Sequence, residues 1–472
     1  MNTPTSRFTH QFNPTILREY DMRGIVGETL FPADAYALGR VFGTKVRQGG
    51  GRCVAVGRDG RLSSKELENE LVRGLRDSGI HVRRIGMGPT PMLYFANAAT
   101  GTDGAIMVTG SHNPASHNGF KMVLGGKPFF GAMIKELGAA ASQGAVMGGQ
   151  GSEERIDPRH DYVTRILRDY DGPSHEAAKG LKIVWDNGNS CAGEVLGKLV
   201  EALPGEHIVL YPEVDGTFPN HHPDPTVAEN LADLVAAVRQ HKADFGVAFD
   251  GDADRIGLVD DEGHILWGDQ ILAILASDLL RQRPGETIIA DVKASQVLFD
   301  EVKRAGGRPH MERTGHSLVK QAMAETGAPL AGEMSGHIFY ADKWYGFDDA
   351  LYAAVRAMGV VSRLQGRLSD TRKRLPAMVS TPELRFPCDD ARKFAVVKEV
   401  AAHLAQEGAD VTTIDGVRVN TADGWWLLRP SNTQAVLVAR LEASTAEGLE
   451  RLKADFTRHL GACGVKAPEV TP

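Results

Sequence analysis

Cys53-Val54-Ala55-Val56-Gly57-Arg58-Asp59 is a short β-prone run closed by an aspartate, and its reading decides the fold. The residues that follow, Ser63 to Asp77, carry Leu67, Leu71, Val72 and Leu75 at helical spacing, so one face is apolar. The same unit recurs twice. Ile183-Val184-Trp185 ends at Asp186-Asn187-Gly188, and Ile288-Ile289-Ala290 ends at Asp291-Val292-Lys293; each precedes a helix candidate. Buried strands alternating with helices predict mostly parallel sheets. The intervals are too unequal for a solenoid and fit three related α/β domains.

Composition shifts place the joints near Gly144–Gly151, read as a flexible surface segment, near Asp260–Gly263 and near Arg372–Pro376. Beyond 377, strand-like pieces such as Trp425–Leu428 and Ala435–Leu441 predict a smaller α+β domain. The expected division is therefore 1–156, 157–264, 265–376 and 377–472, around a central cleft. A chain of 472 residues has room for that many cores.

Apolar content of 42%, charged content of 24% and a net charge of −7 describe a globular protein whose main partner is not nucleic acid. Cys53, Cys191, Cys388 and Cys463 have no metal-ligand spacing and fit reduced thiols of a cytoplasmic protein. No early segment resembles a signal peptide, and Ile271–Leu280 is too short to span a bilayer.

Four stretches carry chemistry. Ala105–Val108 reads as a buried strand running into Thr109-Gly110-Ser111-His112-Asn113-Pro114, which is either an ordinary strand-to-loop turn or a hydroxyl exposed at the carboxyl end of a strand, where α/β sheets place ligands. Phe249-Asp250-Gly251-Asp252-Ala253-Asp254-Arg255 sets three carboxylates at alternating positions, whose repulsion favours a bound cation over a solvated acidic turn. Hard oxygen donors suit Mg²⁺; a calcium loop does not fit, because Arg255 stands where its glycine belongs and Asp261 where its bidentate Glu belongs. Gly332-Glu333-Met334-Ser335-Gly336-His337 offers acceptors and a donor for hydroxyls. Arg429-Pro430-Ser431-Asn432-Thr433, directly after Trp425–Leu428, can surround a phosphate with fixed donors. Arg18–Gly24 reads as a polar turn or a ligand contact, with the turn favoured, and Arg313–Ser317 adds a histidine in a Gly-containing loop.

In this order, and with Tyr20–Gly24, Gly57–Asp59, Asp215–Pro219 and Arg313–Ser317 in support, the motifs resemble the α-D-phosphohexomutase family over nearly the whole chain. Glu333-Met334-Ser335 is similar to the bacterial phosphomannomutase/phosphoglucomutase branch; Gln434-Ala435 departs from it, since relatives often have proline after the phosphate loop. The resemblance implies a cytoplasmic enzyme that interconverts hexose 1- and 6-phosphates of mannose or glucose through a phosphoserine and a 1,6-bisphosphate. It implies Ser111 as phosphoryl carrier and Mg²⁺ on Asp250, Asp252, Asp254 and a Ser111 phosphoryl oxygen, with Arg255 ordering the loop. Lys121 and His316 would lie near the reacting groups, Lys121 as the better general acid/base, while His112 and Arg23 position the phosphoryl group. Tyr20, Lys293, Glu333, Ser335 and His337 would contact the sugar, and Arg429, Ser431, Asn432 and Thr433 the far phosphate. Glucose or mannose 1,6-bisphosphate would serve as activator, with sugar phosphates the only partners of a monomer or weak homodimer, without nucleic acid or membrane. The alternatives are a phosphoglucosamine mutase, a phosphatase in which water intercepts the phosphoserine, and a silent sugar-phosphate binder.

Overall fold

The computed structural model describes residues 8–175, 180–431 and 435–468. Three successive sheets share one four-strand core. In the first, Cys53–Arg58 lies between His81–Met87 and Gly104–Val108, both parallel to it, and Gly104–Val108 pairs antiparallel with His117–Leu124. In the second, Lys182–Asp186 lies between Glu206–Leu210 and Phe245–Phe249, and Ile256–Asp260 is the antiparallel fourth strand. In the third, Thr287–Asp291 lies between Arg308–Glu312 and Leu330–Gly332, with Ile338–Tyr340 antiparallel. The repeated strand–aspartate unit is therefore the central strand each time. Helices cross between the parallel strands, as the βαβ connection requires. The third and fourth strands join by a hairpin instead, and those hairpins are Thr109–Ser116, Asp250–Arg255 and Glu333–His337. Three of the four chemical stretches thus occupy one topological position.

The helix Ser64–Asp77 buries Leu67, Leu71, Val72 and Leu75, as the spacing predicts. One apolar cluster runs through all three sheets, from Met107 through Trp185 and Phe249 to Leu272 and Leu298. Phe95 stacks on Trp344 at 6.4 Å and Tyr94 packs on Phe347 at 5.4 Å, so the first unit is fastened to the third. The fourth unit is an antiparallel sheet backed by the helices Asp390–Gln406 and Ala446–Ala462, around Val400, Trp426, Leu437 and Phe456. It meets the third unit through Val292, Trp425 and Leu427, and through buried Arg418, which donates to Val292 O at 2.7 Å and Ala294 O at 2.8 Å.

Two local expectations change. Gly144–Gly151 is not a free surface segment: Met147 N donates to Thr44 Oγ1, Gly149 N to Asp77 O and Gly151 N to Arg76 O, which lays it along the first unit. Arg18–Gly24 is only partly a turn, because Met22–Ile25 is an edge strand paired antiparallel with His117–Phe120, with Ile25 N donating to Thr29 Oγ1 at 2.8 Å. Among the described residues no helix is long and apolar enough to cross a membrane.

Candidate active site

Ser111 sits at the end of the buried strand Gly104–Val108 with φ +49°, a left-handed conformation costly for a residue with a Cβ. A fixed scaffold holds it there. Asp59 Oδ2 accepts from Gly110 N at 3.0 Å, and Ser111 N donates to Thr109 Oγ1 at 2.8 Å. Arg61, buried under the loop, has all five guanidinium donors engaged, one on Asp59 and four on backbone carbonyls from Ser111 to His117. Nε meets Asp59 at 3.1 Å, one terminal nitrogen meets Ser111 O at 2.7 Å and Asn113 O, and the other meets Pro114 O and His117 O. Gly110 is required beneath: a Cβ there would lie 2.4 Å from the Arg61 guanidinium. The sequence reading missed Arg61, although its spacing from Asp59 was a usable signal.

The serine faces the acidic loop. Ser111 Oγ donates to Asp250 Oδ2 at 2.9 Å and lies 3.2 Å from His112 Nδ1. Asp250, Asp252 and Asp254 are fully buried, with carboxylate oxygens within 4.8 Å of one another. Lys121 Nζ reaches across from the first unit to Asp252 at 2.7 Å and to Asp254, and Thr90 Oγ1 donates to Asp252. Asp250 Oδ1 accepts from the backbone of Asp254 and Arg255, which folds the loop on itself. Asp252 Oδ1 and Asp254 Oδ1 are buried without a hydrogen-bond partner. Orphaned carboxylate oxygens beside a hydroxyl form a hard-oxygen set that fits Mg²⁺. Burial and the two neighbouring carboxylates push the Asp250 carboxyl well above its ordinary range, against the opposing charges of Arg255 and Lys121. Burial would do the same to Asp252, but the Lys121 ammonium outweighs it and holds that carboxyl low.

The remaining residues line a continuous network around this nest. Burial, then the charges of Arg255 and Arg23, keep His112 neutral, with its pKa well below 6.5. Arg23 donates to Asn113 Oδ1 at 2.8 Å and pairs with Asp21. The Arg255 side chain leaves the acidic loop to donate to His337 Nε2 at 3.2 Å; its backbone, rather than its guanidinium, orders that loop. His337 Nδ1 lies 3.1 Å from Asp348 Oδ2 and its ring stacks on His316 at 5.4 Å. Burial, then the Lys320 ammonium, push His316 well below 6.5, and its Nδ1 has no hydrogen-bond partner. Glu333 is buried, and Oε1 accepts from Gly315 N at 2.7 Å; burial raises its pKa. Ser335 is half-buried in the same turn.

Lys293 Nζ is paired with Glu383 of the fourth unit at 3.0 Å. Tyr20 Oη donates to Thr314 O at 2.6 Å, joining the first unit to the third. Arg429 belongs to the strand Gly424–Pro430 and not to the loop after it; its Nε donates to Asp415 Oδ2 at 2.9 Å. Ser431 N closes on Val436 O at 3.0 Å, while Asn432 and Thr433 lie outside the described residues. The described residues from all four stretches therefore join in one network. Thr90, Asp348 and Asp415 enter it unannounced by any local sequence pattern.

Comparison with known proteins gives one pattern along the chain. Residues 14–145, 160–263 and 267–379 match alpha/beta/alpha domains I, II and III of phosphoglucomutase/phosphomannomutase, and 383–459 match its C-terminal domain. The chain is 45% identical over 455 residues to a phosphomannomutase/phosphoglucomutase of Pseudomonas aeruginosa, covering 96% of this chain and 97% of that one. It is 44% identical over 445 residues to a phosphoglucomutase of Neisseria meningitidis serogroup A, covering 93% and 95%. The crystal structure of a phosphoglucomutase/phosphomannomutase family protein from Burkholderia thailandensis is similar with a TM-score of 0.90 at 43% identity, covering 98% and 99%. An Aspergillus fumigatus N-acetylphosphoglucosamine mutase, solved with GlcNAc-6P and magnesium, shares the fold at a TM-score of 0.60 and 15% identity, over 98% and 96%.

Proposed function

This chain belongs to the phosphoglucomutase/phosphomannomutase family, and from that premise we propose that it interconverts the 1- and 6-phosphates of mannose or glucose by phosphoryl transfer at Ser111. The observation that carries this reading is the strained Ser111, its Oγ 2.9 Å from Asp250 in a buried three-carboxylate nest. A lone serine beside a solvated acid would support only a turn. Here the hydroxyl is aimed at a site whose charge needs a cation.

In this reading Ser111 carries a phosphoryl group. The free hydroxyl of the bound sugar phosphate attacks the phosphorus, the bond to Ser111 Oγ breaks, and a 1,6-bisphosphate results. The other phosphoryl group then returns to Ser111. Asp250, Asp252, Asp254 and a phosphoryl oxygen would hold Mg²⁺, which would supply charge neutralisation for a loose transition state. Lys121 and His316 flank the reacting groups. Lys121 is an ammonium: burial opposes its charge, but Asp252 and Asp254 raise its pKa well above the ordinary value, so it stays charged and steadies negative charge by hydrogen bonding. His316 is a neutral imidazole with an unpartnered nitrogen, suited to accept the hydroxyl's proton. His112 and Arg23 steady the phosphoryl group from the Ser111 side.

Glu333 has one oxygen on Gly315 N and so one left for the sugar, with Ser335 beside it. Tyr20, Lys293 and His337 border the same space. Arg429 and Ser431, with Asn432 and Thr433 beyond them, take the non-reacting phosphate. The reading divides the chain into 1–156, 157–264, 265–376 and 377–472, one chemical stretch from each. If the sugar contacts avoid the 2-hydroxyl, mannose and glucose are both accepted. The activator is glucose or mannose 1,6-bisphosphate.

The test is the intact mass of the purified protein, followed by assay of mannose, glucose and glucosamine 1-phosphates with a trace of 1,6-bisphosphate. The expected result is a serine-bound phosphoryl group and activator-dependent turnover of mannose or glucose 1-phosphate. Glucosamine 1-phosphate as the best substrate selects the phosphoglucosamine reading. An unphosphorylated protein without activator-dependent turnover overturns the mechanism.

A further inference from the structure

Asp186 and Asp291 are the last residues of their central strands and Asp59 directly follows the first, all three at most 1% exposed. In the first unit, Asp59 Oδ2 accepts from Gly110 N at 3.0 Å, two residues beyond Val108, where the third strand ends. In the third unit, Asp291 Oδ1 accepts from Met334 N at 3.0 Å, two residues beyond Gly332, where the equivalent strand ends. The same bond thus recurs between equivalent positions: a carboxylate at the end of the central strand holds the neighbouring hairpin. The second unit departs from it. Asp186 caps its own turn at Gly188 N and bonds His221 Nε2, while the acidic hairpin closes on Asp250 itself.

Asp291 also reaches further than its counterpart. Its Oδ2 accepts from Thr314 Oγ1 at 3.0 Å. Thr314 N donates to Asp415 Oδ2 at 3.1 Å, the oxygen that receives Arg429 Nε, and the next residue, Gly315, donates to Glu333. One buried carboxylate therefore ties together the two loops flanking Glu333 and, through Thr314, touches the partner of Arg429.

We infer that Asp291 is a positioning residue for sugar-phosphate recognition, doing for the Glu333 hairpin what Asp59 does for the Ser111 hairpin. This rests on the hexose-phosphate reading above. The two aspartates then have opposite kinetic signatures. Asp291 orients groups that hold substrate in ground and transition states alike, so its loss appears in KM. Asp59 orients the reacting hydroxyl, so its loss appears in kcat.

The experiment compares wild type, Asp291→Ala, Asp59→Ala, Thr314→Val and Thr314→Ser with mannose 1-phosphate and glucose 1-phosphate. Calorimetric Kd for the same sugar phosphates is the second readout. Losing a hydrogen bond to a carboxylate predicts a rise of about tenfold to a hundredfold in KM and Kd for Asp291→Ala, with kcat within about threefold of wild type. Thr314→Val moves the same way by a smaller factor, and Thr314→Ser, which keeps the hydroxyl, restores wild-type values. Asp59→Ala lowers kcat and leaves KM within about threefold. A folded Asp291→Ala with wild-type KM and Kd overturns the inference, as does a loss shared equally between KM and kcat. If Asp291→Ala does not fold, Thr314→Val decides: wild-type KM and Kd sink the inference. A wild type that binds these sugar phosphates without turning them over refutes the enzymatic reading alone, and Kd then decides on Asp291.

Discussion

Replacing Arg61 by lysine keeps the charge and removes the geometry, and so tests whether the Ser111 conformation is held from below. All five guanidinium donors are engaged: one on Asp59 and four on the carbonyls of Ser111, Asn113, Pro114 and His117. Lysine has three donors at most, so at least two buried acceptors lose their partner. An unsatisfied buried acceptor costs about 1–3 kcal/mol, giving a local destabilisation of roughly 2–6 kcal/mol. The left-handed Ser111 adds strain that only such over-determination sustains. At about 1.4 kcal/mol per factor of ten, the loop amides should exchange at least ~30-fold faster in Arg61→Lys. The assay is hydrogen–deuterium exchange of peptides covering 105–120, with the helix Ser64–Asp77 and the fourth unit as internal controls. Turnover should fall with exchange, chiefly in kcat. Wild-type protection of that peptide together with wild-type kcat would falsify the account, because five bonds would then hold nothing in place.

Three further outcomes follow from the same geometry. Ser111→Ala should lose most turnover and carry no phosphoryl mass, yet bind mannose 1-phosphate calorimetrically with an affinity close to wild type. Chelation should abolish turnover, with Mg²⁺ restoring it, and Asp254→Asn should shift the restoring Mg²⁺ concentration upward; restoration at an unchanged concentration would remove Asp254 from the ligand set. Asp349, buried and bonded to Tyr162 Oη and Tyr352 N, has its carboxyl pushed up by burial to about 7 from the usual 3.8. Between those values the folded state holds a proton that the unfolded state has released, so this stability is full below 3.8 and is lost as pH rises through 7. Wild-type Tm should therefore drop more steeply from pH 5 to pH 8 than that of Asp349→Asn, and parallel curves would contradict the buried-carboxyl reading.

Much of the candidate site was legible because it lies in contiguous motifs. A glycine-flanked serine after a buried run, three alternating aspartates, and a Glu-Met-Ser between glycines each state a local chemistry that tertiary structure has only to place. The α/β architecture was legible for a similar reason. Strands buried on both faces must be continuously apolar, and their crossover helices must carry a single apolar stripe, so periodicity reports them without knowledge of their neighbours. Arg429 shows the limit of such reading. A cluster of phosphate donors looks like a loop in sequence, yet Arg429 is a strand residue whose side chain is turned onto Asp415.

The sequence by itself determined the four units, the aspartate closing each central strand and the chemical character of four stretches, because these depend on residues within a few positions of one another. Tertiary structure alone decided that three of those stretches are the same hairpin in successive units, so that Ser111, Asp250 and Glu333 enter the site from equivalent places. It also decided which side chains hold them: Arg61 beneath the serine, Lys121 across the aspartates, Thr314 between Asp291 and Asp415. These partners are remote in the chain or serve a carbonyl rather than a motif. A buried polar group must be satisfied, but which distant residue satisfies it is settled only when the packed units bring the two within hydrogen-bond reach.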